Sequence, residues 1–146
     1  MKKISIYTDG ACSGNPGKGG WCAILIYDNH GQQAIKDISG SKQETTNNQM
    51  ELTAVIEALQ ILKEPVIIDL FTDSKYVLEG ATKWANGWVA NNWKTSNKKP
   101  VANKELWIRL LSLLQIHQVN WHWVKGHSDN KYNNECDKIA RNLTKE

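Results

Sequence analysis

The stretch Ile4-Ser5-Ile6-Tyr7-Thr8-Asp9-Gly10 decides how the rest of the chain is read. Its β-branched and aromatic residues predict a strand, and Gly10 allows a sharp turn after it. Side chains alternate along a strand, so Ser5, Tyr7 and Asp9 share one face. Asp9 then closes the strand as a carboxylate at its C-terminal end, the place where open α/β sheets bind ligands. A lone Asp before Gly is better explained as a turn residue. Three further acids at comparable places shift the balance.

Working outward, Gly10 to Gly20 holds five glycines and Pro16. This composition excludes a helix and predicts a loop in place of regular strand, with bare backbone able to approach a ligand. It is not a Walker P-loop, because Gly-x-x-x-x-Gly-Lys-Ser/Thr does not occur here. Trp21 to Tyr27 reads as a buried strand, Asp28-Asn29-His30-Gly31 as a hairpin turn, and a more polar strand runs on toward Gly40. From Thr46 to about Lys63 the period changes, with Leu52, Val55, Ile56, Leu59 and Leu62 at helical spacing. Glu51 falls at the edge of that stripe, where an acid is costly unless something pairs with it. It could also snorkel off the first turn, where the helix dipole favours it.

Pro65 ends the helix, and Val66 to Asp73 predicts a central strand that ends in an acid as the first one does. A strand–helix–strand unit favours parallel pairing beside the first strand, giving an α/β fold with Asp9 and Asp73 close together. Two carboxylates that near cannot both ionise cheaply without a cation. Ser74 is placed to cap a short helix, Lys75 to Glu79, and Asn103 to cap one carrying Leu106, Trp107, Leu110, Leu111 and Leu114. Val119, Trp121 and Trp123 alternate with Gln118, Asn120 and His122 as a strand with one wet face. After a polar loop, Gly126 to Lys131, a last helix turns Cys136, Ile139, Ala140 and Leu143 inward, with Asp137 in its first turns.

At 146 residues, 40% hydrophobic and 23% charged, the chain is expected to form one globular domain over residues 1–146. Met1-Lys2-Lys3 begins like a signal peptide, but Ser5 and Thr8 interrupt the apolar run that should follow. No segment approaches a membrane span, so a cytoplasmic protein with no membrane partner is expected. Cys12, Cys22 and Cys136 are odd in number and lack C-x-x-C spacing, which excludes a disulfide frame or a zinc site. A net charge of +3 is too mild to indicate nucleic acid by itself. Its distribution says more: Lys94, Lys98 and Lys99 crowd one segment with Trp84, Trp88 and Trp93.

The candidate chemistry rests on acids from separate elements: Asp9, Glu51, Asp73 and Asp137, with His127 on the loop upstream of the last. Oxygen-only ligands suit Mg²⁺ or Mn²⁺. Two such ions can activate water and stabilise a leaving oxygen in phosphodiester cleavage.

Five motifs in register make this pattern specific. Tyr7-Thr-Asp-Gly-Ala-Cys-Ser-Gly-Asn-Pro-Gly17, Thr46-Asn-Asn-Gln-Met-Glu-Leu52, Thr72-Asp-Ser-Lys-Tyr-Val77, Trp123-Val-Lys-Gly-His127 and Asn133-Asn-Glu-Cys-Asp137 together resemble the bacterial ribonuclease HI family, the type 1 ribonucleases H. The resemblance covers essentially the whole chain. It implies a ribonuclease H-like fold, a five-stranded mixed β-sheet flanked by helices. It also implies endonucleolytic hydrolysis of the RNA strand of RNA–DNA hybrids, leaving 5′-phosphate and 3′-hydroxyl ends. Carried over by position, Asp9, Glu51, Asp73 and Asp137 would hold Mg²⁺ (or Mn²⁺), and His127 would assist proton transfer or product departure.

By the same resemblance Asn15, Asn47, Asn48 and the backbone at Gly10 and Cys12 would read the RNA 2′-hydroxyls, with Thr46 on a phosphate and Ser74 nearby. Asn47 and Asn48 could instead cap the helix. The segment Trp84–Lys99 resembles the family's basic protrusion on the DNA strand, its aromatic faces and lysines (Lys94, Lys98, Lys99) alternating as a backbone-tracking groove requires. Trp84 is the tryptophan there most expected to belong to the core instead. Val89-Ala90-Asn91-Asn92 stands where the family often has basic residues, and Lys75 where a neutral Gln is common. Two rivals are a catalytically silent hybrid-binding module, which would not need all four acids, and an integrase-like nuclease, which would not need the asparagines. The expected partner is an RNA–DNA hybrid, bound by a monomer.

Overall fold

A computed structural model describes residues 1–125 and 130–145. Strands β1 (Lys3–Ser13), β2 (Gly17–Asn29) and β3 (Gln32–Thr45) form an antiparallel meander. Strands β4 (Ile67–Thr72) and β5 (Gln118–Trp123) continue the sheet parallel to β1, in the order β3-β2-β1-β4-β5. Between strands run α1 (Asn47–Gln60), α2 (Lys75–Glu79), one wide π turn (Gly80–Trp84), α3 (Ala85–Ala90) and α4 (Lys104–Leu114), and α5 (Lys131–Leu143) follows β5. This is the expected five-stranded mixed α/β sheet.

Strand alternation divides the sheet into two faces. On one, Ile4 and Ile6 of β1, Ala23 and Leu25 of β2, and Ile68 and Leu70 of β4 pack against Leu52, Val55, Ile56 and Leu59 of α1 and Trp107 and Leu110 of α4. Each of the leucine, isoleucine and valine side chains here contributes about 1.5–3 kcal/mol when removed from water, so this layer is the main source of stability. On the other face α5 lays Cys136 and Ile139 over Tyr7, Cys22, Ile24 and Ile26. All three cysteines are free thiols, and a hydrogen bond with Cys22 together with burial pushes the Cys136 thiol far up.

The hairpin turn narrows to His30-Gly31, both at positive φ (55° and 84°), a geometry that matches the twist of the strands it joins. Helix α1 begins where expected, with Thr46 accepting a hydrogen bond from the Gln49 amide at 3.2 Å, but it stops at Gln60 before reaching Lys63. Ser74 caps α2 by accepting from the Val77 amide at 3.2 Å. Asn103 is a different case. It sits in the left-handed region (φ 61°) and its side chain gives α4 no cap bond.

The glycine-rich segment corrects the expectation of a loop. β1 runs through it to Ser13 and β2 starts at Gly17, paired as far as Ser13 with Lys18. The glycines there answer to packing. A Cβ on Gly10 would lie 2.5 Å from the Glu51 amide nitrogen and 2.6 Å from the Met50 carbonyl carbon, and one on Gly20 would lie 2.4 Å from the Ala140 carbonyl oxygen. Glycine lets α1 close on one face of the β1–β2 ribbon and α5 on the other.

Gly10→Ala must therefore push α1 off β1 at the point where Asp9 and Glu51 meet. Overpacking of this kind costs about 1–3 kcal/mol, and thermal unfolding should show the loss together with reduced activity. An alanine variant with unchanged melting temperature would contradict this packing.

Candidate active site

Three elements converge at the C-terminal ends of β1 and β4. β1 delivers Asp9, the first turns of α1 deliver Glu51, and the end of β4 delivers Asp73. One carboxylate oxygen from each lies within 4.8 Å of the others. Asp9 and Glu51 are 2% and 5% exposed, which settles the Glu51 alternatives: it is buried and does not snorkel. The Gly10 amide donates to Asp9 Oδ1 at 2.9 Å. Asp9 Oδ2 and Glu51 Oε1 are buried with no hydrogen-bond donor among the described residues.

Asp137, on the first turns of α5, completes the set from the opposite face of the sheet. It lies near enough to Asp9 to help raise that group's pKa and is partly buried, with Arg141 one turn later holding its Oδ2 at 2.9 Å. It stands outside the tight cluster of three and next to it. Asn130 caps α5 by accepting from the Asn133 amide at 2.9 Å, which fixes the start of the helix that presents Asp137. His127 lies outside the described residues.

With no cation, the cluster must hold protons. Asp9 is pushed up from 3.8 to about 8, first by burial and then by the charge of Asp73 and the nearby Asp137. Burial, followed by the charges of Asp9 and Asp73, lifts Glu51 well above its ordinary range, against a small opposing hydrogen bond from Gly10. Buried oxygens without donors, an all-carboxylate donor set and mutual repulsion fit a hard divalent cation, which would satisfy all three at once.

Around the cluster, Asn15 accepts from the Asn47 amide through Oδ1 at 3.0 Å and so ties the β1–β2 turn to the start of α1. Capping is done by Thr46, which leaves Asn47 and Asn48 exposed on the first turn and separates them from that alternative. Cys12 is half-buried, donating to the Gly14 carbonyl at 2.9 Å and to the Thr45 carbonyl at 3.3 Å. Gly10 is buried with its amide turned to Asp9, so the accessible backbone of this segment belongs to Ala11 and Cys12.

The tryptophan segment reverses one expectation. Trp84 is 40% exposed, whereas Trp88 and Trp93 are half-buried and packed against the main core. The wide turn at Gly80–Trp84 rotates Trp84 outward, where it tilts against Trp88 at 6.1 Å. Trp88 meets Trp107 edge-on at 5.1 Å. Lys94, Lys98 and Lys99 are exposed on a hairpin closed by a bridge between Lys94 and Pro100. Strand alternation predicts Trp123 on the dry face with Val119 and Trp121, but it is 47% exposed beside the acids. Its indole N–H donates to the Asp73 carbonyl at 3.3 Å, and the Lys75 ammonium sits 4.8 Å from its ring centre. Strand alternation could not reveal this, because β5 ends at Trp123 and the sheet no longer covers it.

Comparison with known proteins agrees with this geometry. The RNase H family model matches residues 1–145. This chain belongs to the ribonuclease H family. The ribonuclease H of Acetivibrio thermocellus is 59% identical over 141 residues, 96% of this chain and 93% of that one. That of Chlorobium phaeobacteroides is 54% identical over 146 residues, covering 99% and 97%. Among solved structures, LC9-RNase H1, a type 1 RNase H with the type 2 active-site motif, matches with a TM-score of 0.89 at 28% identity, covering 99% of this chain and 73% of that one. LC11-RNase H1, solved in complex with an RNA/DNA hybrid, shares the fold at a TM-score of 0.66 and 21% identity, covering 95% and 94%.

The raised pKa of Asp9 has a definite sign in stability. A carboxyl that binds its proton more tightly when folded contributes stability that is complete below about pH 4 and lost as pH rises toward about 8. In EDTA, the unfolding free energy should fall across that window, and Asp9→Asn should flatten the fall. A pH profile of denaturant unfolding left unchanged by the substitution would contradict the assignment.

Proposed function

We infer that this chain is a ribonuclease H that cuts the RNA strand of RNA–DNA hybrids, using divalent ions held by Asp9, Glu51, Asp73 and Asp137 and leaving 5′-phosphate and 3′-hydroxyl ends. The observation that bears most weight is the buried Asp9–Glu51–Asp73 cluster, each member offering an oxygen within 4.8 Å of the others, in a chain of this family. When bound, Mg²⁺ (or Mn²⁺) supplies the charge that activates water and stabilises the departing 3′-oxygen.

The chain's own residues do the rest. Asp9, Glu51 and Asp73 come from three elements held by the close Gly10 approach of α1 to β1 and by the parallel pairing of β1 with β4, so the donor oxygens need little rearrangement before reaction. Asp137 closes the set from α5 and is oriented by Arg141. Exposed Asn47 and Asn48, with Asn15, Cys12 and Thr46 behind them, face the RNA strand, and the 2′-hydroxyl is what they read. Trp84, Trp88 and Trp93 with Lys94, Lys98 and Lys99 track the DNA backbone, and Ser74 borders the acids. His127 moves a proton or helps product leave. The protein acts as a cytoplasmic monomer. Among the described residues no helix is long and apolar enough to cross a membrane.

The direct test compares cleavage of RNA–DNA hybrid, duplex RNA, duplex DNA and single strands, in Mg²⁺ and in EDTA. Only the hybrid should be cut, only with metal, and Asp9→Asn and Asp73→Asn should abolish turnover in folded protein. Cleavage undiminished by EDTA, or equal cutting of duplex DNA, would overturn the reading.

Replacing Lys94, Lys98 and Lys99 with Ala should weaken hybrid binding and flatten its salt dependence by roughly 0.9 in the log–log slope per phosphate contact removed. An unaltered slope would return this hairpin to an ordinary solvated loop. His127→Ala should lower kcat by up to the 10²–10⁴-fold that general acid–base assistance typically supplies, about the ceiling for such a role, with KM close to normal. Unchanged kcat at saturating hybrid would remove His127 from the mechanism.

A further inference from the structure

Three rings stand side by side across three strands, on the face of the sheet that carries α5. Tyr7 of β1 pairs in register with Phe71 of β4, and Phe71 pairs with His122 of β5. Their ring centroids are 4.5 and 4.7 Å apart, with planes 9° and 18° from parallel. The stack thus repeats at the spacing of the strands, about 4.8 Å. Tyr132 of α5 continues it beyond Tyr7 at 5.3 Å. At the other end β5 is the edge of the sheet, and no strand supplies the next rung. Among the described residues no further ring stacks on His122, whose side chain is 44% exposed.

The surroundings of this stack are cationic. Helix α5 lies over β1, β2 and β3, and on β4 and β5 the same face keeps Asn120 and His122 exposed and Asp69 and Phe71 half-buried. The Asp69 carboxylate is already paired: His122 Nε2 lies 3.0 Å from Oδ1, and the Lys3 ammonium 3.2 Å from Oδ2. At the far end the exposed Lys131 ammonium stands 5.6 Å from the Tyr132 ring centre. Cations therefore flank the stack on both sides. Tyr7 comes two residues before Asp9 and Phe71 two before Asp73, so the rings form the course next to the acids on this face. Trp88 and Trp93 of the tryptophan–lysine hairpin pack instead on the main core, across the sheet.

Evenly spaced rings between ammonium groups suit unpaired nucleotides, because every base has a face to stack and every phosphate a charge to meet. We propose that the outer face of His122, the open end of the Tyr132–Tyr7–Phe71–His122 stack, is a subsite for a base of single-stranded RNA that continues beyond the hybrid. This rests on the reading of the chain as an enzyme that cuts hybrid RNA at the acids, since that reading brings the RNA strand past this face. The DNA strand, gripped by the hairpin across the sheet, has no such path. The subsite adds contact where a paired region ends and an RNA tail begins, and it takes no part in the chemistry.

The test measures KM in Mg²⁺ for one hybrid prepared blunt, with a short RNA tail at either end, or with the same tails on the DNA strand. One of the two RNA tails should lower KM roughly fivefold, the low end for one stacked base, with kcat unchanged, and the DNA tails should give no gain. Fluorescence anisotropy in EDTA should show the same ratio in Kd without cleavage. His122→Ala should abolish the gain and leave KM for the blunt hybrid as it was, whereas His122→Phe keeps a ring and should keep the gain. RNA tails without effect at both ends, an equal gain from a DNA tail, or a gain that survives in His122→Ala would overturn the subsite. The blunt hybrid separates the two readings: if the protein cuts it normally while tails do nothing, only the subsite is lost, and if it is not cut at all, the reading of the acids has failed.

Discussion

Like charges held together in a dry place dominate this structure. Asp9, Glu51 and Asp73 are brought within 4.8 Å of one another at a site where Asp9 and Glu51 are almost wholly buried. Such an arrangement is unstable for three ionised carboxylates, and the upward shifts of Asp9 and Glu51 express that cost as retained protons. It is also the arrangement that a hard divalent ion relieves, by replacing protons with a charge that satisfies several oxygens together. Much of the surrounding fold can be understood as keeping the acids there despite their repulsion.

The sheet achieves this by parallel pairing of β1 and β4, in register from Lys3 with Ile67 to Thr8 with Thr72, which ends both strands side by side. The absence of a side chain on Gly10 then lets the first turns of α1 close on β1 and bring in Glu51. On the other face, α5 seats Cys136 on the carbonyls of Cys22 and Tyr7 at 3.1 and 3.5 Å, and this contact places Asp137 beside Asp9. Core burial on both faces thus supplies the free energy that holds the cluster together.

The strand and helix periods in the sequence revealed the sheet, α1 and the strand-end positions of Asp9 and Asp73, because those signals are local. Glu51 was recognisable as an acid on an apolar edge, and only packing shows that it is buried. The glycines from Gly10 to Gly20 were misleading for a physical reason. They resemble loop residues by composition, whereas here they make room for Glu51, Met50 and Ala140 across the ribbon. The Asn103 position failed as a cap because its partners, Gln49 and Tyr76, are 54 and 27 residues away. Trp84, the tryptophan of this segment most expected in the core as an alternative to binding, is instead exposed at the end of the π turn Gly80–Trp84, which local spacing does not signal.

The central claim is that this proton-holding cluster is a metal site. Calorimetric titration of Mg²⁺ at pH 7, in buffers of different ionisation enthalpy, counts the protons released per ion bound. With Asp9 pushed up to about 8 in the metal-free protein, binding should release protons, and Asp9→Asn should lessen the release and weaken binding. Mg²⁺ binding that releases no protons, and is equally tight in Asp9→Asn, would contradict the account.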